Sequence, residues 1–292
     1  MVFLMFSLEL HLDLGPCSRP SWHPQGRFAW ARNGLKNHGW IVDLERNTRD
    51  VAPGERWVWA PCGLHALTEE NGATALRHWP DTRAFAELPG QGWRWDMAGG
   101  LWKPERGAVW RADASDGWRL RSEAILPEGE RWIAVEPLPE QRAIGLRWRS
   151  HLHRSELVQI WPDSARLETL SRPPLDSLQL GPWSWAAGGT AWAVADRSTG
   201  RIRAWTFPQG CVQADLAVGS PVWEVCHLGD ALAWTSTDGL GLWNFSEQAQ
   251  SFVPLILPPG RRRLAWNPAH RRLLVGAPDG LRLFLLEDTL GL

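Results

Sequence analysis

The sequence predicts an all-β chain made of seven repeated units, and three observations that share one period predict it. Tryptophan-led anchors recur along the chain, a Pro/Gly turn stands ahead of most of them, and a large aromatic follows most of them. The anchors are Ser21-Trp22-His23-Pro24, Trp57-Val58-Trp59, Trp93-Arg94-Trp95, Trp132-Ile133-Ala134-Val135, Trp183-Ser184-Trp185, Trp223-Glu224-Val225 and Leu264-Ala265-Trp266. Taken at positions 22, 59, 95, 135, 185, 225 and 266, they lie 37, 36, 40, 50, 40 and 41 residues apart.

The preceding turns are Ala52-Pro53-Gly54, Leu88-Pro89-Gly90, Leu126-Pro127-Glu128-Gly129, Val218-Gly219-Ser220-Pro221 and Leu257-Pro258-Pro259-Gly260. The trailing aromatics are Trp40, Trp79, Trp161, Trp205, Trp243 and Phe284, 18 to 26 residues after their anchors. In the third unit Trp110 and Trp118 both fit that slot. Within a unit, short alternating apolar stretches are separated by turn signals, as in Asp230 to Trp243, which reads strand, hairpin, strand. Asp238-Gly239, Asp279-Gly280 and Asn71-Gly72 supply the positive backbone angles that tight hairpins need. No stretch beyond ten residues keeps a helical period.

Four short strands in about 40 residues are the arithmetic of a propeller blade, and seven such units close a ring. The units fall near 20–53, 57–89, 93–127, 132–173, 183–218, 222–258 and 263–292, all within one domain. The seventh stops before a full fourth strand. Residues 6–14, Phe-Ser-Leu-Glu-Leu-His-Leu-Asp-Leu, alternate strictly, with Ser7, Glu9, His11 and Asp13 on one face, and belong to no unit of their own. An open blade would leave unpaired backbone groups at its edge. The segment 1–14 is therefore expected to close the ring as the outer strand of the seventh blade.

At these residues the chain resembles the WD40-type seven-bladed β-propellers over essentially its whole length. Trp22-His-Pro-Gln-Gly-Arg-Phe-Ala-Trp30 is similar to the family's entry to its first two strands. Pro278-Asp-Gly-Leu-Arg-Leu-Phe284 and Asp238-Gly-Leu-Gly-Leu-Trp243 are similar to its third strand. The Gly-His opening dipeptide is missing, and Asp does not directly follow the third-strand Trp, although Trp40-Ile-Val-Asp43 and Trp161-Pro-Asp163 come near. The resemblance implies a divergent propeller that serves as an interaction scaffold. It also implies that the connections after the second and fourth strands of each blade open on one face, and those after the first and third on the other.

Composition narrows the partners. The 292 residues are 44% apolar and 22% charged with a net charge of -1, the profile of a globular chain with no electrostatic footprint for nucleic acid or anionic membrane. Of 31 basic residues only Lys36 and Lys103 are Lys, and the aromatics are 22 Trp, 8 Phe and no Tyr. Arg261-Arg-Arg263 and Arg271-Arg272 are expected at opposite ends of one strand, so they do not form one groove. Cys17, Cys62, Cys211 and Cys226 are too scattered for a disulfide framework and are expected as reduced, mostly buried thiols. Residues 1–7 lack the basic start of a signal peptide, and no apolar run reaches the roughly 18 residues of a membrane span. The expectation is a cytoplasmic monomer without a membrane partner.

No catalytic or cofactor motif stands out: there is no Gly-x-Ser-x-Gly, no phosphate-binding Gly-rich loop followed by Lys and no His-Glu-x-x-His. No cofactor is expected. The close Cys/His pairs, Cys62-Gly-Leu-His65, Cys226-His227 and His151-Leu-His153, fall short of the four ligands of a structural zinc site. No metal is expected.

Loop length points elsewhere. The fourth unit is the longest, with a connection Arg149-Ser-His-Leu-His-Arg-Ser-Glu156 and a long entry to the fifth unit, Ser171 to Pro182. Extended loops on a rigid scaffold are where binding determinants usually sit. His151, His153, Arg154, Leu175, Leu178 and Leu180 are therefore the candidate rim for a protein or peptide partner. The tryptophans fall mostly at repeat-locked positions, as packing between blades requires. That leaves Trp30, Trp102, Trp148 and one of Trp110 and Trp118 off the register and available for function. The alternative reading is an enzyme or carbohydrate-binding protein that uses the channel or open indole faces.

Overall fold

The computed structural model describes residues 2–36, 38–138, 142–161, 166–171, 180–186, 190–196, 199–207, 209–257 and 263–290. Its strands form seven four-stranded antiparallel sheets. Blade 1 contains β2 (Cys17–Trp22), β3 (Phe28–Asn33), β4 (His38–Asp43) and β5 (Thr48–Pro53), following β1 (Val2–Leu12) in the chain. Blade 2 contains β6 (Arg56–Trp59), β7 (His65–Glu70), β8 (Ala73–His78) and β9 (Ala84–Leu88). Blade 3 contains β10 (Arg94–Trp95), β11 (Leu101–Glu105), β12 (Ala108–Ala112) and β13 (Arg121–Ile125). Blade 4 contains β14 (Glu130–Pro137), β15 (Ala143–Arg149), β16 (Arg154–Trp161) and β17 (Arg166–Ser171). Blade 5 contains β18 (Leu180–Trp185), β19 (Ala191–Asp196), β20 (Arg201–Thr206) and β21 (Val212–Ala217). Blade 6 contains β22 (Val222–His227), β23 (Ala231–Ser236), β24 (Gly239–Asn244) and β25 (Ala249–Pro254). Blade 7 contains β26 (Leu264–Asn267), β27 (Arg272–Ala277) and β28 (Gly280–Leu290), with β1 as its fourth strand.

Closure by the N-terminal strand is as the alternation of residues 6–14 predicts. β1 pairs antiparallel with β28 from Val2↔Leu290 to Leu12↔Leu281. The strict alternation does not survive: a register shift between Leu8 and Leu10 bends the strand and leaves Leu8 exposed. Leu4 and Phe6 still pack with Leu240, Leu242 and Phe284, which joins blades 6 and 7. Glu9 ion-pairs across β28 with Arg272 of β27. The hairpin signals hold as well, since Asn71, Gly72, Gly239 and Gly280 all have positive φ.

Tryptophan fills the wedges between blades. Every one of the 22 indoles is buried or half-buried. A fully buried indole removes about 150–250 Å² from water, an upper bound of roughly 4–6 kcal/mol at ~25 cal/mol per Å². Trp110 lies in β12 and Trp118 in the connection that follows, so Trp110 is the third-strand aromatic of blade 3. Two tryptophans expected to be available are not: Trp30 and Trp102 sit on the second strand of their blades, fully buried. Trp192 and Trp234 occupy second strands in the same way, a repeat position that spacing from the anchors had not exposed. Trp148 is on a second strand too and is half-buried.

Glycines make room for these rings. A Cβ on Gly241 would lie 2.1 Å from Trp234 Cε2, and one on Gly39 would lie 2.5 Å from Trp30 Cε2. Gly145 is covered by Trp132 in the same manner, with a Cβ 2.2 Å from Cζ3. Each indole therefore lies flat on a bare backbone in the adjacent strand, and that strand has lost a side chain to accommodate it.

Candidate functional site

The first strand of each blade lines the central channel, so residues at one repeat position meet around the axis. Four of the anchors, Trp266, Trp22, Trp59 and Trp95, come from blades 7, 1, 2 and 3, and they form an arc at the end where the first strand turns into the second. With Pro24, Pro61, Pro268, Val58 and Met97 they line a mouth of about 520 Å³. Met97 is 70% exposed. Indole N–H groups hold two of these rings in place: Trp22 Nε1 donates to Ala265 O (2.8 Å) in blade 7, and Trp95 Nε1 to Val58 O (3.0 Å) in blade 2. The rings are thus preorganised by the contacts that join the blades.

Arg56 and Arg94 line both this mouth and a second cavity of about 350 Å³ deeper in the channel, where Ile133, Val135, Trp183, Trp223 and Glu224 face inward. The carboxylates here have fixed partners. Glu69 accepts from Arg56 Nη1 and from Gly92 N, both at 2.7 Å, and Arg94 pairs with Glu136. Glu224 accepts from the backbone N–H groups of Arg263 and Leu264, the latter at 2.9 Å. Arg56–Glu69 lies within blade 2, whereas the bonds from Gly92 to Glu69, from Arg94 to Glu136 and from Arg263 and Leu264 to Glu224 reach across to the neighbouring blade. Two guanidiniums and one carboxylate, Glu136, line the mouth itself.

The opposite face carries charge. In blade 4 Arg147 bridges Glu156 (2.8 Å) and Glu130 (3.3 Å), and Arg149 reaches Glu130 (2.8 Å). Burial raises the Glu156 carboxyl, but hydrogen bonds from Arg147 and Arg154 outweigh it and hold the group below the usual range.

The expected rim is placed as follows. The connection from β15 to β16 is shorter than its sequence suggested, because Arg149 and Arg154 pair directly across the hairpin. Ser150–Leu152 form one 3-10 turn, and His153 closes it in a left-handed conformation. His151 and His153 are exposed at the tip. Arg154 is turned back onto Glu156 at 2.8 Å, in the ion network. Leu180 begins β18, whereas Leu175 and Leu178 lie outside the described residues, as do Asp163, Pro258–Gly260 and Arg261–Arg262. Arg263 donates to Cys17 O and Gly276 O, and Arg272 pairs with Glu9, so the two basic runs are not brought together at these residues.

The Cys/His pairs acquire distinct surroundings. Cys62 Sγ stands 3.9 Å from His65 Nδ1. His227 is buried, and desolvation lowers its pKa to about 4; burial likewise pushes the Cys226 thiol up to about 12. Thiols are less buried than expected, since Cys62 and Cys211 are exposed. Among the described residues no group of three His, Cys, Asp or Glu is placed to hold a metal ion, and no helix is long and apolar enough to cross a membrane.

The mouth was missed in the sequence because its tryptophans were assigned to blade packing. The signal was present in the anchors: one repeat position in successive blades must converge on the axis, so Trp266, Trp22, Trp59 and Trp95 had to form an arc.

No family model and no curated protein sequence matches the chain. Its fold is similar to solved structures. The β-propeller domain of Cps50 (Swd1) from Myceliophteria thermophila superposes with a TM-score of 0.73 at 11% identity, over 97% of this chain and 100% of that one. A chain of a mitotic checkpoint complex superposes with a TM-score of 0.70 at 13% identity, over 98% of this chain and 94% of that one. At these identities the likeness concerns the fold, and on that ground the chain is a seven-bladed β-propeller closed by its N-terminal strand.

Proposed function

We propose that the protein is a non-enzymatic scaffold that binds a protein or peptide partner through the tryptophan-rimmed mouth of its channel. The observation that carries this reading is the arc of Trp266, Trp22, Trp59 and Trp95 beside Arg56 and Arg94. Trp22 and Trp95, held by inter-blade hydrogen bonds, offer contact area that needs no ordering on binding.

A second reading places the partner on the opposite rim, at His151, His153 and Arg154 with Leu175, Leu178 and Leu180. The exposure of His151 and His153 at a hairpin tip favours it. Affinity capture with mass spectrometry from a lysate of the source cells separates the two. Met97→Glu is expected to abolish capture of the partner, and the double variant His151→Ala/His153→Ala to leave it intact. The reverse pattern moves the site to the rim, and a partner insensitive to both overturns the two readings together.

A further inference from the structure

The four cysteines fall into three surroundings. Cys17 is buried and Cys226 half-buried, and desolvation pushes both thiols up to about 12. Cys211 is exposed, and among the described residues only its backbone is bonded, the N–H to Thr206 Oγ1 at 3.1 Å and the carbonyl to Thr206 N at 2.8 Å. Cys62 is exposed and has a base beside it, His65 Nδ1 at 3.9 Å from its Sγ.

The turn between β6 and β7 holds this pair. Ala60 N donates to His65 O at 2.8 Å and Gly63 N to Ala60 O at 2.9 Å, which closes the turn around Cys62. His23 of blade 1 fastens it from outside, with Nε2 at 3.0 Å from Gly63 O. Gly63 has a φ of +73°, and a Cβ there would lie 3.1 Å from His23 Cε1, so the position calls for glycine. His65 is walled by two rings, those of its cross-strand partner His78 and of Phe85, each with its centroid at 5.3 Å. The thiol and the imidazole are therefore in place before any reaction. Burial, and after it the neighbouring His78, lowers the His65 pKa, so near neutral pH the ring is uncharged. In its Nε2–H tautomer, Nδ1 then accepts from the Cys62 S–H.

A thiol within reach of an oriented base is the arrangement of an activated nucleophile. Two ligands fall short of a zinc site, and among the described residues no group of three His, Cys, Asp or Glu completes one. We infer that Cys62 is a modification site, at which His65 acts as general base for exchange with a low-molecular-weight disulfide. The Cys62 proton passes to His65 Nδ1 as the sulfur attacks one sulfur of that disulfide. A bond from Cys62 Sγ to the attacked sulfur forms, the disulfide's own S–S bond breaks, and the departing thiolate takes the proton from His65. Cys62 is oxidised and the departing half is reduced, so the electrons balance with no other reagent. Pro61, the preceding residue, lines the channel mouth, which tethers the adduct within one residue of that cavity. The assignment stands whether or not the mouth is the partner site.

Time-resolved peptide mass spectrometry of the full chain with oxidised glutathione at neutral pH tests it, because each cysteine is read separately in one sample. Cys62 is expected to gain the glutathionyl group at least about fivefold faster than Cys211, the exposed thiol without a base. His65→Gln is expected to slow Cys62 by at least about fivefold and to leave Cys211 unchanged, and added imidazole to restore part of the lost rate. Cys17 reports on folding, since at 2% exposure it reacts only when the fold opens. The ratio of Cys62 to Cys211 in the unaltered chain needs no variant and stays decisive if the substitution unfolds the protein. A ratio below about fivefold, a smaller slowing of Cys62 in a folded His65→Gln chain, or a slowed rate that imidazole does not raise overturns the assignment.

Discussion

The two faces of the ring are built from opposite chemistry on the same strands. Where first strands turn into second strands, blades 1 to 3 place Trp22, His23, Trp59, Trp79, Trp95 and Trp118, with rings packed on rings and the pKa of His23 lowered by burial. At the other end charge ties strands together within blades, through Arg56–Glu69 in blade 2 and the Arg147, Arg149, Arg154, Glu130 and Glu156 network in blade 4. In the proposed reading the difference decides which end binds: the half-buried indoles of Trp22, Trp95 and Trp266 keep open faces, whereas His23 and Trp59 are buried.

The largest expected effect belongs to the ring that both faces share. Deleting residues 1–14 removes β1 and bares the edge of β28, so the melting temperature should fall by about 10 °C or more. A truncated chain that melts like the full one would remove β1 from the account of closure.

The next effect separates the faces by pH. His227 is buried among Phe245 and Trp192, and desolvation lowers its pKa from 6.5 to about 4. The unfolded chain therefore binds the proton first. Stability is fully present above pH 6.5 and is lost as the pH falls towards about 4, by on the order of 3 kcal/mol. His23, also lowered by burial, acts in the same direction. Urea titrations across that window should show the slope, and His227→Phe should reduce it. The charged face behaves differently. Glu156 lies below its ordinary value because its arginines outweigh burial, and Asp279 because Arg282 bonds it. Their contribution is present above the ordinary carboxylate range and is lost only as the pH falls through the lowered values. A single transition for both faces would remove the distinction.

A smaller effect tests the packing beneath. Gly241→Ala drives a methyl into Trp234 and should cost about 1–3 kcal/mol by chemical denaturation. Trp234→Leu in the same chain should recover part of that loss if the ring is the obstacle.

Much of the fold was legible because it repeats. The anchors, the Pro/Gly turns and the alternation of residues 6–14 each follow from strand and turn chemistry, and the observed sheets follow them. What escaped is what repetition does not encode. The bulge at Leu8 needs the partner strand, and the second-strand residues Trp30 and Trp234 are recognisable only beside Gly39 and Gly241, which they cover. The mouth was half legible: its tryptophans were found, but their convergence on the axis depends on closure. The ring contact of Trp118 with Phe85 joins residues of two blades and has no signature in either.

The central claim is that the aromatic mouth, not the opposite rim, meets the partner. It is tested most directly by placing a photoreactive benzophenone amino acid at Met97 and, in a second protein, at His151, and irradiating each with the captured partner. The account predicts a covalent adduct from position 97 and none from position 151. An adduct from position 151 alone would contradict it.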